Sequence, residues 1–269
     1  MALLVRSWNL FHGNAKPPAR KSFLEEMVAL ASADQPDVLC LQELPVWALQ
    51  HLGDWSGMSV FGEIAMRPRL GPLPATAGIG RAVTSLHHGL FRSAFAGQAN
   101  AILVAPAIRV LERDRVVLNA RRFRRQQASR LGLGLVARLG WAKERRVCQA
   151  VRLQLARRTA VVANLHATSF PADERLADAE LLRAAVFAHG FARPDELCVL
   201  AGDFNVRMGR SPTLAELAKP EWGFSAAGDG IDQILVRGAK GRVERWPLER
   251  RQLDGRILSD HAPVDLRIA

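Results

Sequence analysis

Six short polar segments along a 269-residue chain hold the side chains able to move a proton or bind a metal. The richest is Gly202-Asp203-Phe204-Asn205. In extended backbone alternate side chains share a face, so Asp203 and Asn205 would point one way and Phe204 the other, into a core. A carboxylate orients and deprotonates a water, and an amide donates to a non-bridging phosphate oxygen, so the pair suits attack on phosphorus. The same residue types also make an ordinary turn after a strand.

Gln42-Glu43 follows the apolar run Val38-Leu39-Cys40-Leu41. An acid there must face solvent, a cation or a metal, because carboxylates are rarely buried unpaired. Magnesium takes hard oxygen ligands and needs only one or two carboxylates, so Glu43 and Asp260 would suffice. Ser259-Asp260-His261-Ala262-Pro263 sets that acid beside an imidazole, with Pro263 restricting the backbone. On regular strand the two side chains would diverge, so both serve one site only if the backbone is irregular. An imidazole held by a carboxylate, for which Asp232 is the choice, stabilises negative charge growing on phosphate oxygen. Asn164-Leu165-His166 repeats the period of two, although a His at a strand end is commonly a surface residue. Asn9 in Ser7-Trp8-Asn9-Leu10 fits a site or a strand cap.

Each segment needs an element to hold it, and hydrophobic patterning supplies one. Strands are expected over Leu3 to Leu10, Val38 to Leu41, Ala101 to Val104, Val116 to Leu118, Val147 to Leu155, Thr159 to Leu165, Leu197 to Leu200, Ile231 to Val236 and Val264 to Ile268. The pair 147–155 and 159–165 reads as a hairpin turning at Arg157-Arg158. Leu24, Met27, Val28 and Ala31 are spaced for a helix within Arg20 to Ser32. Asp173 to Phe191 suits a second, with Leu176, Ala179, Leu182 and Val186 on one face and Asp173 and Glu174 at its positive end. Arg67 to Gly80, rich in Pro and Gly, reads as one surface loop. No internal repeat or low-complexity linker is visible.

The length suits one domain spanning residues 1–269. Hydrophobic residues at 49% and charged residues at 23% exclude a disordered or fibrous chain. Thirty-seven Lys and Arg against 26 Asp and Glu leave +11, which favours anionic partners, although an Arg-rich coding preference would give the same number. Cys40, Cys148 and Cys198 each sit in an apolar run and lack metal-type spacing. With no secretory leader and no apolar stretch near the roughly 20 residues of a membrane span, a cytoplasmic setting is expected.

Taken in order, these segments resemble the endonuclease/exonuclease/phosphatase superfamily over nearly the whole chain. The pattern comprises Asn9, Gln42-Glu43, Gln98-Ala99-Asn100-Ala101-Ile102-Leu103, Asn164-Leu165-His166, Gly202-Asp203-Phe204-Asn205, Ile231-Asp232 and Ser259-Asp260-His261-Ala262-Pro263-Val264. The resemblance implies a four-layer α/β sandwich of the deoxyribonuclease I-like kind: two mainly antiparallel sheets face to face, helices outside, one active site at an edge. It implies a magnesium site at Glu43 with Asn9 and Asp260, with manganese an acceptable substitute. Asp203 would be the water-activating base and Asn205 an oxyanion donor. Asp232 and His261 would bind the scissile phosphate, and His166 would assist the leaving oxygen. Two departures matter. The chain has no Tyr, which disfavours branches that use one at the leaving group, and Phe11 stands where some branches carry a second acid.

Between Arg113 and Arg130 lie Arg113, Arg115, Arg121, Arg122, Arg124, Arg125 and Arg130, with Asp114 the only acid and Phe123 among them. This segment could track a phosphate backbone and stack on a base, or be a solvated helix face. Arg145, Arg146 and Asn100 are further candidate substrate contacts. A nuclease acting on DNA or RNA is the first expectation. A hydrolase of a lipid headgroup or small phosphorylated metabolite is the second, and an inactive polyanion-binding protein the third. A monomer without stable membrane association is expected, since no hydrophobic hairpin with exposed aromatics is apparent.

Overall fold

Along the first strand Leu3, Val5 and Ser7 face one way and Trp8 the other, and this alternation places the chain between two layers. The computed structural model describes residues 3–70, 73–88, 95–156, 158–225 and 230–268. One six-stranded sheet runs β14 (Gly241–Arg245), β17 (Val264–Ile268), β1 (Leu3–Asn9), β3 (Val38–Leu44), β7 (Gln98–Val104) and β4 (Ser59–Met66). The other runs β12 (Phe224–Ser225), β13 (Asp232–Arg237), β11 (Leu197–Asp203), β10 (Thr159–His166), β9 (Val147–Gln154) and β8 (Arg109–Val117). Every pairing is antiparallel except one near the middle of each sheet, β1 with β3 and β10 with β11. Smaller ladders join β2 (Ala15–Lys16) to β16 (Arg256–Leu258) and β15 (Gln252–Leu253), and β5 (Arg69–Leu70) to β6 (Leu73–Pro74).

Leu3, Val5, Val38, Cys40, Ile102 and Val104 of the first sheet meet Val151, Leu153, Ala160, Val162, Leu197 and Val199 of the second in an apolar inter-sheet core. Each large aliphatic fully buried there contributes about 1.5–3 kcal/mol. The outer face of the first sheet is covered by α1 (Leu24–Ser32) and α2 (Leu52–Ser56), through Leu24, Met27, Val28 and Leu52. The outer face of the second is covered by α6 (Arg175–Phe191) and α7 (Pro212–Leu217), through Leu181, Ala184 and Leu214. Four layers result, as expected. The three cysteines are free and buried.

Several expectations need correction. Residues 67–80 are not one loop: they carry β5, β6 and the start of α3 (Ala77–Leu86), with residues 71 and 72 outside the described part. The strand expected at Val116 to Leu118 begins at Arg109 and is a solvent-facing sheet edge, which tolerates charge. After it the Arg-rich segment becomes α4 (Arg121–Arg130), followed by α5 (Leu135–Lys143). Arg157 of the expected hairpin turn lies outside the described residues; beside it Leu155 N–H donates to Arg158 O at 3.0 Å. On α6 the inward face holds Leu176, Ala177, Glu180, Leu181, Ala184 and Ala188, while Leu182 and Val186 are 40% and 54% exposed. Small alanines let the helix lie close on the sheet, and Glu180 is buried because Trp141 Nε1, Thr168 N and Thr168 Oγ1 all donate to it.

Asn164 ties the two sheets together. From β10 its Nδ2 donates to Leu41 O at 3.0 Å and Ala101 O at 2.9 Å, and its Oδ1 accepts from Gln42 Nε2 at 2.7 Å. Asn164→Leu strands these buried partners and should cost about 2–4 kcal/mol. Urea unfolding measures this, and a loss under about 1 kcal/mol would show that the clamp is dispensable.

Candidate active site

The inter-sheet rows turn polar at one end. Leu3-Val5-Ser7 continues to Asn9, Ala160-Val162-Asn164 to His166, Leu197-Val199-Ala201 to Asp203, and Val236-Ile234 to Asp232, at every second residue. β1 and β3, and β10 and β11, are parallel and finish at one edge, where antiparallel β13 begins with Asp232 and Asn9 meets Asp203 across the sheets. His166 sits opposite Asp203, and Asp203 opposite Asp232. Gly202 permits the close approach of β11 to β10, since a Cβ there would lie 1.9 Å from Leu165 O, and its φ of 142° suits glycine.

Glu43 has the wrong parity, since Leu39 and Leu41 face the outer helices. A bulge between Leu41 and Leu44, with Glu43 at φ 52°, turns it to the inner side. There Glu43 Oε1 lies 3.5 Å from His166 Nε2. The Asp260–His261 pair is also presented by irregular backbone, between β16 and β17. Ser259, at φ 61°, donates through Oγ to Asn9 O at 2.7 Å and accepts from His261 N at 3.1 Å. Arg251 Nη1 donates to the carbonyls of Leu258, Ser259 and His261 at 3.3, 3.0 and 3.2 Å, and Trp8 Nε1 donates to His261 O. Both side chains therefore reach one site.

His261 Nδ1 lies 2.8 Å from Asp232 Oδ1. Burial alone would favour the neutral ring. The hydrogen bond to Asp232 and the charges of Asp203, Asp232 and Asp260 outweigh it and raise the imidazolium to about 10. Asp203 is the converse case: burial first, then the charge of Asp232, push its carboxyl up to about 7 against the opposing pull of His261 and a hydrogen bond from Asn9. Asn9 Nδ2 donates to Asp203 Oδ2 at 3.0 Å, and Asn9 Oδ1 accepts from Phe11 N. Burial also raises Glu43, with His261, Arg146 and Asn9 opposing and Asp260 adding to it.

His166 is held well below the usual imidazole range by burial and by the charge of Arg146. Arg146 Nη1, a donor, lies 3.0 Å from the ring's Nδ1 and 3.1 Å from its Nε2 and so favours neither; Gln98 Nε2, 3.0 Å from Nδ1, makes Nδ1 the acceptor and leaves the proton on the ring's Nε2. That Nε2–H faces Glu43 and Asp203, each at 3.5 Å. Arg146 Nη2 is in turn fixed by Glu144 Oε2 at 2.8 Å.

Asn205 is not the continuation of β11. It turns to φ 51°, its N–H donates to Asp203 Oδ1 at 3.1 Å, and its Nδ2 donates to Ala167 O. Phe204 enters the core as expected. Asp260 stands at the rim, 3.5 Å from Lys16 Nζ and 3.9 Å from His261 Nε2. Among the described residues, Glu43–His166–Asp203 and Asp203–Asp232–His261 are the groups tight enough to hold an ion between them. Asn100 is buried, with Nδ2 3.4 Å from Val147 O, so it meets the protein's own backbone where a substrate contact was expected. Arg145 is exposed near Glu63, at 4.0 Å. Arg121, Arg122, Arg124 and Arg125 lie on α4, outside the acid–imidazole cluster. Phe123 is packed edge-on against Trp141 and covered by Arg183, so it is not the base-stacking platform its neighbours suggested. Lys16, Arg245 and Arg251 were not foreseen as participants, and Gln98, part of the family pattern, was given no role. Arg245 approaches Asp232 at 3.8 Å, and nothing in the sequence separates it from the other arginines.

Two facing sheets thus gather acids, amides and imidazoles at one edge, where their parallel strands end. The profile of the Endonuclease/Exonuclease/phosphatase family matches residues 7–261, and the chain belongs to that family. Solved structures share the fold at low identity. A functionally unknown conserved protein from Enterococcus faecalis V583 aligns with TM-score 0.66 and 13% identity, over 99% of both chains. The human Nocturnin catalytic domain with bound sulfate aligns with TM-score 0.65 and 16% identity, over 100% of this chain and 93% of that one. D. rerio TDP2 complexed with a single-strand DNA product aligns with TM-score 0.63 and 14% identity, over 100% and 99%. No curated protein matches the chain by sequence.

Proposed function

We propose that residues 1–269 form a single-domain, magnesium-dependent phosphodiester hydrolase that cleaves DNA or RNA. The observation that carries this reading is the adjacency of two oppositely tuned groups. Asp203 sits at about 7, where a base can take a proton, and His261 is kept cationic by Asp232. Hard carboxylate oxygens of Glu43 and Asp260, whose charge Glu43 feels, with Asn9 alongside, would hold a magnesium or manganese ion, with Asp203 next to Glu43 in the tighter cluster. When bound, the metal supplies positive charge against a phosphate oxygen and helps align it.

The protein's own residues do the rest. Asp203, oriented by Asn9 and Asn205 N–H, accepts the proton of the attacking water. His261 has Nδ1 engaged by Asp232 and offers Nε2–H to a non-bridging oxygen. Asn205 Nδ2 has a second hydrogen for the developing oxyanion, and His166 Nε2–H assists the leaving oxygen. Arg146, Arg145, Lys16 and Arg245 surround these acids with positive charge and draw in a diester anion. The net charge of +11 supports a polynucleotide, as does the shared fold with a TDP2 solved with a DNA product. A lipid-headgroup diester is the second reading, favoured by exposed leucines beside the arginines of the α4–α5 region.

The test incubates the protein with labelled single- and double-stranded DNA, RNA and a bis-aryl phosphodiester, with magnesium or EDTA. Metal-dependent cleavage of a nucleic acid that vanishes in Asp203→Ala and His261→Ala is the expected result. Turnover of the small diester alone moves the assignment to a metabolite or lipid, and no turnover of anything defeats the hydrolase reading.

A further inference from the structure

The hairpin of α4 and α5 carries a surface that the catalytic cluster does not use. From Arg121 to Lys143 the chain holds six Arg and one Lys and not a single acid. On α5, Leu135, Val136 and Leu139 are 71%, 74% and 63% exposed, among the largest such values for apolar side chains among the described residues. Positions 135 and 139 are one helical turn apart and 136 adjoins them, so the three form one apolar ridge. Beside it α4 and α5 enclose a cavity of about 250 Å³ lined by Arg121, Arg124, Arg125, Arg138 and Trp141.

The ridge is held outward. Trp141, on the opposite side of α5, is buried and donates through Nε1 to Glu180. Asn119 Nδ2 donates to Trp141 O and Glu144 O, at 3.1 and 2.6 Å. Turning the leucines inward would break all of these.

We propose that this hairpin docks on an anionic lipid bilayer, its aliphatic ridge entering the acyl boundary while the arginines meet headgroup phosphates. Charge complementarity selects the partner, and the aliphatic ridge narrows it. A polynucleotide would use the cations but has nothing for three exposed aliphatics, and the hairpin's own aromatics, Phe123 and Trp141, are packed inward. A second copy would bring two uniformly cationic surfaces together. A bilayer with acidic headgroups satisfies both features of an interfacial helix, the apolar stripe and the flanking Arg. No helix among the described residues is long and apolar enough to cross a membrane, so the contact is peripheral. The expectation of no stable membrane association rested on the lack of a hairpin with exposed aromatics, whereas the exposed residues here are aliphatic. Docking here also orients the enzyme: Glu144, one residue past α5, holds Arg146, which touches His166. The proposal goes beyond the nuclease reading and does not depend on it.

Co-sedimentation of the full chain with phosphatidylcholine vesicles, with and without phosphatidylglycerol, tests it. Wild type is expected to bind only the anionic vesicles. Leu135→Ser/Leu139→Ser should weaken that binding at least about tenfold, as expected for two leucyl side chains no longer withdrawn from water. The same double variant should melt like wild type and bind a single-stranded oligonucleotide equally well. Arg121→Gln/Arg125→Gln should weaken vesicle binding and its salt dependence together. Failure of wild type to bind anionic vesicles overturns the proposal, as does full vesicle binding by the leucine variant. A leucine variant that instead loses oligonucleotide binding, or dissociates a dimer seen by sedimentation, also overturns it, in favour of a polynucleotide or a second copy.

Discussion

Asp203→Asn is expected to reduce kcat by at least about 10³-fold while leaving a folded, more stable protein, since a positioned general base contributes about 10²–10⁴ and its loss leaves the water unaligned as well. The stability gain follows from burial. Asp203 is raised to about 7 in the folded chain from 3.8. For an acid so raised, stability is greatest below the unfolded value and is lost as pH climbs through the folded one. In EDTA the wild type should therefore lose stability between about pH 4 and 7 in a way the Asn variant does not. Denaturation of both proteins across that range gives the answer. A variant no more stable than wild type at pH 8 would mean that Asp203 is not held against its own charge. The combination of lost activity and gained stability marks a functional acid, because a structural one would lose both.

Asp232→Asn should be nearly as damaging at alkaline pH and milder at low pH. His261 owes its charge at neutral pH to Asp232, at 2.8 Å, and burial would otherwise favour the neutral ring. With the carboxylate gone, the alkaline limb of kcat/KM should move down from near 10 toward neutrality. His261→Ala removes the cation at every pH and should cost about 10²–10³, as loss of one preorganised donor does. Linkage gives the stability counterpart. A histidine raised from 6.5 to about 10 contributes stability that is complete below 6.5 and disappears as pH rises through 10. A pH–rate profile for Asp232→Asn parallel to wild type, merely lower, would refute the coupling and make Asp232 a packing residue.

Much of this site was legible because it obeys the period of two. Asn9, His166, Asp203 and Asp232 extend apolar inter-sheet rows, so each strand expectation also aimed a side chain. Glu43 and the Asp260–His261 pair break the period, and only backbone geometry shows how a bulge and the φ of Ser259 bring them in. On α6, the large Leu182 and Val186 were natural candidates for the core, yet the sheet takes the alanines because they permit closer packing. The edge strands β4 and β14 escaped notice because each is only partly buried and shows little alternation. Arg146 was foreseen as a substrate contact, but its grip on His166 depends on a distance of 20 residues that no local pattern reports.

The position of β17 bears on how such a chain is made. β17 lies between β1 and β14, in the body of the first sheet, although it follows every other described strand in the sequence. A nascent polypeptide already possesses β1, β3, β7 and the entire second sheet before Val264–Ile268 exists. Until then Leu3–Ser7 offers an unpaired, apolar margin open to other chains. The segment bearing Asp260 and His261 is threaded into place by the same closing event. A chain not yet extended through β17 thus keeps an exposed apolar margin and has its acid–imidazole cluster still incomplete.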